Sequence, residues 1–197
     1  MRSLAAVGLA ALAAGCGGVG ARAADEPSVL PVRVATHAQR SGANATAFAL
    51  GRDRLVTVAH VLDGGRQVSA AGRRGRVLRV DRRLDVAVLA VRGVGTTSAR
   101  TAAARPGERV TVRVLRSGEA RSLPARVRRA ITARVRGSGG PVRVRPALEL
   151  AADVMPGDSG APVLDGRGHV VGMIFAQAAD RDGVAYALDA RALGPAR

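Results

Sequence analysis

Ser159 stands between Asp158 and Gly160 in the stretch "MPGDSGAP", residues 155–162. Gly, Asp, Ser and Pro are turn formers, and a cluster of them between apolar runs marks a loop. A serine hydroxyl in such a loop becomes a nucleophile only if a base takes its proton and a third group orients that base. The chain holds three histidines, His37, His60 and His169. His60 ends the apolar run "RLVTVAH", whereas His37 lies in a polar loop before "AQRSGAN" and His169 follows the turn "DGRG". The last two read as ordinary polar residues. For the carboxylate, Asp85 heads the apolar run "DVAVLAV". A charge at the mouth of a buried strand is costly unless it is hydrogen-bonded, and an imidazole N–H is a partner that would hold it there. Asp81, four residues earlier, ends "RVLRVD" in a charged turn and reads as solvated.

These residues need rigid elements to bring them together, and the sequence offers strands. β-Branched residues alternate with polar ones in six runs before residue 97: "LPVRVAT", "ATAFALG", "RLVTVAH", "RQVSAA", "RVLRVD" and "DVAVLAV". A connector, "GVGTTSARTAAARPG", spans residues 93–107. Six further runs follow: "ERVTVRVL", "SLPARVRRAITARV", "PVRVRPALEL", "APVLD", "HVVGMIFAQ" and "GVAYALD". Within the second, "PARVRRAITARV" would also suit a helix by length and composition. Asp189 is set to cap a short C-terminal helix through "ARAL". The expected fold is all-β: two six-stranded antiparallel barrels, the first over about residues 29–92 and the second over about 108–190, packed side by side within a domain of 29–197.

The set "VTVAH" with His60, "RRLDVAVLAV" with Asp85 and "PGDSGAPV" with Ser159 resembles the chymotrypsin-fold, trypsin-like serine proteases. The similarity is closest to their disulfide-free bacterial branch of high-temperature-requirement proteases, and the tail "GHVVGMIFAQAADRDGVAYALDA" to the actinobacterial acid-resistance serine proteases. It covers roughly residues 30–190. The three motifs stand in the order His, Asp, Ser, separated by 25 and then 74 residues, an order unlike that of subtilisins and α/β-hydrolases. The resemblance implies a serine endopeptidase with a cleft between the barrels, His60 and Asp85 on the first and Ser159 on the second. It also implies an oxyanion hole from the Gly157 and Ser159 N–H groups. Asp153, six residues before the serine, falls where trypsin-like relatives carry the carboxylate that selects Arg or Lys; facing solvent is the alternative reading. Asp158 matches the carboxylate that pairs with a freshly cut N-terminus in digestive relatives, and here a nearby arginine is the expected partner. Ala161 replaces the family's usual glycine, and no PDZ domain or multi-span membrane segment is expected. A protease fold that binds without turnover is the competing reading.

Composition sets the outer bounds. An apolar fraction of 47% indicates a packed core, and an aromatic content of 2% requires that core to be built from Val, Leu and Ala. All 31 basic residues are arginine against 15 acidic ones, a formal charge of +16. Such a surface attracts polyanions, so contact with anionic cell-wall polymers or membrane surfaces is expected; a GC-rich genome writes the same composition. No nucleic-acid motif appears, so no specific nucleic-acid partner is expected. No metal or cofactor is implied. "MRSLAAVGLAALAAGC" has the build of a secretory leader. Two exits compete: a lipobox-like "LAAGC" that would lipidate Cys16, and cleavage after "ARA" at residue 23, with residues 24–28 as a polar tether. The expected location is outside the cytoplasm, lipid-anchored or free, with no disulfide because Cys16 is the only cysteine.

Overall fold

Valine alternating with arginine, threonine or alanine favours extended backbone over helix, and all twelve runs form strands. The computed structural model describes residues 27–36, 43–63, 65–94, 99–136 and 141–194. The leader, Cys16 and His37 lie outside the described residues. The first six strands are β1 (Val29–Thr36), β2 (Ala43–Gly51), β3 (Arg54–Val58), β4 (Gly65–Ala70), β5 (Arg73–Asp81) and β6 (Val86–Ala90). They close antiparallel in the order β1-β2-β3-β6-β5-β4. The second six are β7 (Arg109–Arg116), β8 (Glu119–Arg136), β9 (Val142–Ala151), β10 (Pro162–Leu164), β11 (Val170–Gln177) and β12 (Val184–Asp189), closed as β10-β11-β12-β9-β8-β7. Closure gives every strand a hydrogen-bonded neighbour on each side over at least part of its length.

The run that also suited a helix is the longest strand, 18 residues, because it serves two neighbours in succession. Its first part pairs with β7 and its second with β9, the register slipping once between Val127 and Arg129. The expected C-terminal helix is a single 310 turn, Ala190–Ala192, capped by Asp189, whose side chain accepts a hydrogen bond from Arg191 N. Connector residues tie to both barrels: Ala99 N donates to Ala49 O, and Ala102 N to Val170 O.

With so few aromatics, the interior is aliphatic. One cluster fills the first barrel around Phe48, Leu55 and Leu89 and continues across the barrel boundary to Met173, Phe175 and Leu188. A second, with Val112, Val114, Leu150 and Val163, fills the second barrel.

The boundary also carries a polar seam. The β2–β3 ladder ends at the pair Phe48–Val56, so Thr46 lies beyond it with its strand edge unspent. Thr46 N donates to Ser159 O at 2.8 Å, Thr46 Oγ1 to Gly157 O at 3.1 Å, and Thr57 Oγ1 to Thr46 O at 2.7 Å. Gly160 fits under this seam at a φ of +88°, and a Cβ there would collide with Thr46 O and crowd Thr57 Oγ1 at 2.7 Å. Replacing Gly160 by Ala adds backbone strain to that clash, so urea unfolding should report a loss of about 2 kcal/mol or more. Unchanged stability would mean that the barrels do not depend on this contact.

Candidate active site

His60 and Asp85 come together because they end paired strands. In the β3–β6 ladder Val58 faces Val86, so the residues just outside that pair, Ala59 and Asp85, are adjacent, and Ala59 N donates to Asp85 O at 3.1 Å. His60 opens a short 310 turn, His60–Leu62. Asp85 ends the turn from β5 with a φ of +64°, a left-handed conformation that aspartate tolerates better than most side chains. Asp81 shapes that turn, its Oδ1 accepting from Leu84 N at 2.9 Å. The residue read as merely solvated therefore helps to present Asp85.

The contact is twofold. His60 N donates to Asp85 Oδ1 at 2.8 Å, and His60 Nδ1 lies 2.9 Å from Asp85 Oδ2. An ionised carboxylate only accepts, so Nδ1 carries the proton and Nε2 of the neutral ring is left as the acceptor. Asp85 is nearly buried, while about half of the imidazole is exposed. The hydrogen bond to Asp85 holds the His60 pKa above its ordinary value; burial and the charge of Arg145 pull the other way. Burial of Asp85 favours its neutral form, yet the His60 hydrogen bonds and charge and the Arg145 charge outweigh that and hold its carboxyl below the usual range.

Ser159 lies in the turn between β9 and β10, partly exposed. Gly157 has a φ of +100°, open to glycine at no steric cost. Among the described residues neither Gly157 N nor Ser159 N donates a hydrogen bond, while Asp158 N, Gly160 N and Ala161 N are all used within the fold. Asp158 is buried beneath this turn. Its Oδ2 accepts from Met155 N at 2.9 Å and from Arg116 Nη2 at 2.8 Å, the arginine partner that the sequence led us to expect. Arg116 Nη2 also donates to Asp153 O at 3.0 Å, so one guanidinium holds both ends of the segment before the serine.

Not every expected contact is closed. Among the described residues Ser159 Oγ makes no hydrogen bond, to His60 or to any other group. Asp153 is exposed and does not line the cleft beside His60. His169 serves a turn, its N–H donating to Asp165 Oδ1 at 2.9 Å and its Nδ1 lying 3.4 Å from Asp165 Oδ2.

The cleft beside His60 has a volume of about 670 Å³, and its lining includes Arg82, Arg136, Arg143, Arg145 and Phe175. The sequence reading missed Arg145. In "VRVR" the valines look like the inward residues, yet Val142 and Val144 are exposed and Arg145 is 4% exposed. A hint was available, since an alternating run that continues into "ALEL" has buried residues on both faces and so leaves its phase undetermined.

Residues 45–173 match the model of the trypsin-like peptidase domain. Serine protease Rv3671c of Mycobacterium tuberculosis is 34% identical over 178 residues, covering 85% of this chain and 45% of that protein. The chain thus spans about half the length of the curated relatives it matches. The crystal structure of the active form of Rv3671c protease superposes with a TM-score of 0.80 at 32% identity, covering 88% of this chain and 81% of that one. The inactive form gives 0.74 at the same identity, covering 88% and 89%. The HtrA-type protease AlgW with a tripeptide shares the fold, with a TM-score of 0.69 at 18% identity over 84% of this chain and 57% of that one. A family model matching most of the chain, two six-stranded antiparallel barrels and relatives above 30% identity agree: the chain belongs to the trypsin-like peptidase domain family.

Proposed function

We propose that the protein is a serine endopeptidase that cleaves protein or peptide substrates through Ser159, His60 and Asp85. The observation that carries this reading is the twofold hydrogen bond that fixes the His60 ring on Asp85 with its free nitrogen available to act as a base. Nε2 takes the Ser159 proton as Oγ attacks the scissile carbonyl, and Asp85 holds the tautomer and stabilises the imidazolium that forms. The N–H groups of Gly157 and Ser159, unused among the described residues, serve as donors to the developing oxyanion, each worth about 10²–10³ in rate. The imidazolium then protonates the leaving amine, and water hydrolyses the acyl-enzyme by the same route in reverse. No step requires a metal or cofactor.

Arg116 performs inside the chain the task that a cut N-terminus performs in digestive relatives, which favours activity without removal of a propeptide. In this reading the protein is exported by its leader, with Cys16 as a lipidation site or residue 23 as a cleavage site. Its arginine surface serves as an accessory grip on anionic wall polymers or membrane. A protein that keeps the fold but does not turn over is the second reading, and the open Ser159–His60 contact is what favours it.

A fluorophosphonate probe should label uncut wild-type protein but not Ser159→Ala, and Asp85→Asn should slow labelling by about 10⁴. No labelling of wild type before or after a cut near residue 30 favours the silent fold, and labelling only after the cut refutes the role given to Arg116.

The raised His60 pKa fixes the sign of the pH response, because the base must be neutral to act. Labelling rates should fall on acidification, with a midpoint above the ordinary histidine value of about 6.5. A midpoint below that value would contradict the assigned hydrogen bond.

Asp153 is proposed to select Arg or Lys on the amino side of the cut. A peptide library cleaved by wild type should show that preference, and Asp153→Ala should lose it. A profile identical in both proteins removes Asp153 from the specificity site.

A further inference from the structure

The second barrel sends one charged side chain into the first barrel's base–anchor pair. Arg145, on β9, is 4% exposed, and its Nη1 lies 3.1 Å from Asp85 Oδ2 and donates to Leu84 O at 3.3 Å. Its guanidinium carbon sits 5.0 Å from the centre of the Phe175 ring on β11. A buried guanidinium is costly unless paired, and a cation over an aromatic face recovers part of that cost. Both fixed partners of the guanidinium belong to the Leu84–Asp85 turn, where Asp85 holds a left-handed backbone. The same carboxylate oxygen thus receives His60 from one side and Arg145 from the other.

We propose that Arg145 is a positioning residue for this site, clamping the Asp85 carboxylate from the neighbouring barrel and setting how far into acid His60 can still act as a base. The inference rests on the reading of His60 and Asp85 as base and anchor. A proton added to His60 puts a second cation on a carboxylate already shared with Arg145, and the two cations repel. The groups around the imidazole divide by sign. Asp85 and Asp63 favour the protonated ring and Arg145 opposes it. Among the other charges facing the cleft, Arg82 is paired with Asp63, and Arg136 and Arg143 come from the β8–β9 hairpin. Arg145 differs from these three by being buried in direct contact with the anchor, where solvent screens least.

The test reads the proton on His60 and the nucleophilicity of Ser159 separately. In Ser159→Ala protein, which cannot digest itself, the His60 ring is titrated by NMR with and without Arg145→Gln or Arg145→Lys. In the Ser159 protein the same Arg145 variants are assayed for the pH dependence of fluorophosphonate labelling. The neutral glutamine should move the His60 midpoint and the acid limb of labelling to higher pH, whereas lysine, which keeps the charge, should leave both near wild type. A midpoint and limb unmoved by Arg145→Gln, or moved as much by lysine as by glutamine, would overturn the proposal. Should the glutamine variant not fold, the Arg145 guanidinium resonances of the Ser159→Ala protein decide. They should shift with the His60 midpoint, and a flat response across it refutes the coupling. Loss of labelling in wild type would refute the catalytic reading and leave the NMR result standing, so the two failures are distinguishable.

Discussion

Thr46 joins the halves of this molecule. The proposed base stands on one barrel and the proposed nucleophile on the other, so their relative position depends on what crosses the boundary. A strand edge left over where β2 and β3 part company accepts the backbone of residues 157–159, and Thr57 holds that edge from behind. Glycine at 160 is what lets the two backbones approach so closely. The apolar cluster that runs from Phe48 to Leu188 supplies adhesion, but adhesion is non-directional and does not fix register. The threonine contacts do, because hydrogen bonds weaken steeply outside their angular range.

Charge is handled by pairing at the few places where it goes inside. Asp85, Asp158, Glu149, Arg145 and Asp189, which pairs with Arg191, are all buried. Asp158 faces Arg116, Glu149 faces Arg129 and Arg181, and Asp85 faces His60 and Arg145. Three of these pairings use an arginine from the second barrel's strands. A guanidinium suits the role because it stays charged, forks to two acceptors and is less strongly hydrated than an ammonium. A surface so rich in arginine thus also contributes the partly buried cation that organises the serine turn and the buried one beside the aspartate.

The strands were legible either as short apolar runs bounded by turn residues, as in β10 and β11, or by alternation, which survives even where composition allowed a helix, as in "PARVRRAITARV". That segment is extended because β7 and β9 each need a partner along part of it, a demand that no local propensity expresses. His60 and Asp85 were legible from residue type and context, a histidine closing one apolar run and an aspartate opening another. The arginine expected opposite Asp158 was legible as a need, but with 31 arginines in the chain its identity was not.

By itself, then, the sequence determined the strand inventory, the two-barrel division and the side-chain types suited to hydrolysis, since these follow from local periodicity and from the cost of burying a carboxylate alone. Tertiary structure decided which face of "VRVR" turns inward, which arginine meets which acid, and which threonine fastens the serine turn. Those choices depend on strand phase and on contacts between residues as distant in sequence as Thr46 and Ser159, and a chain read in order carries neither.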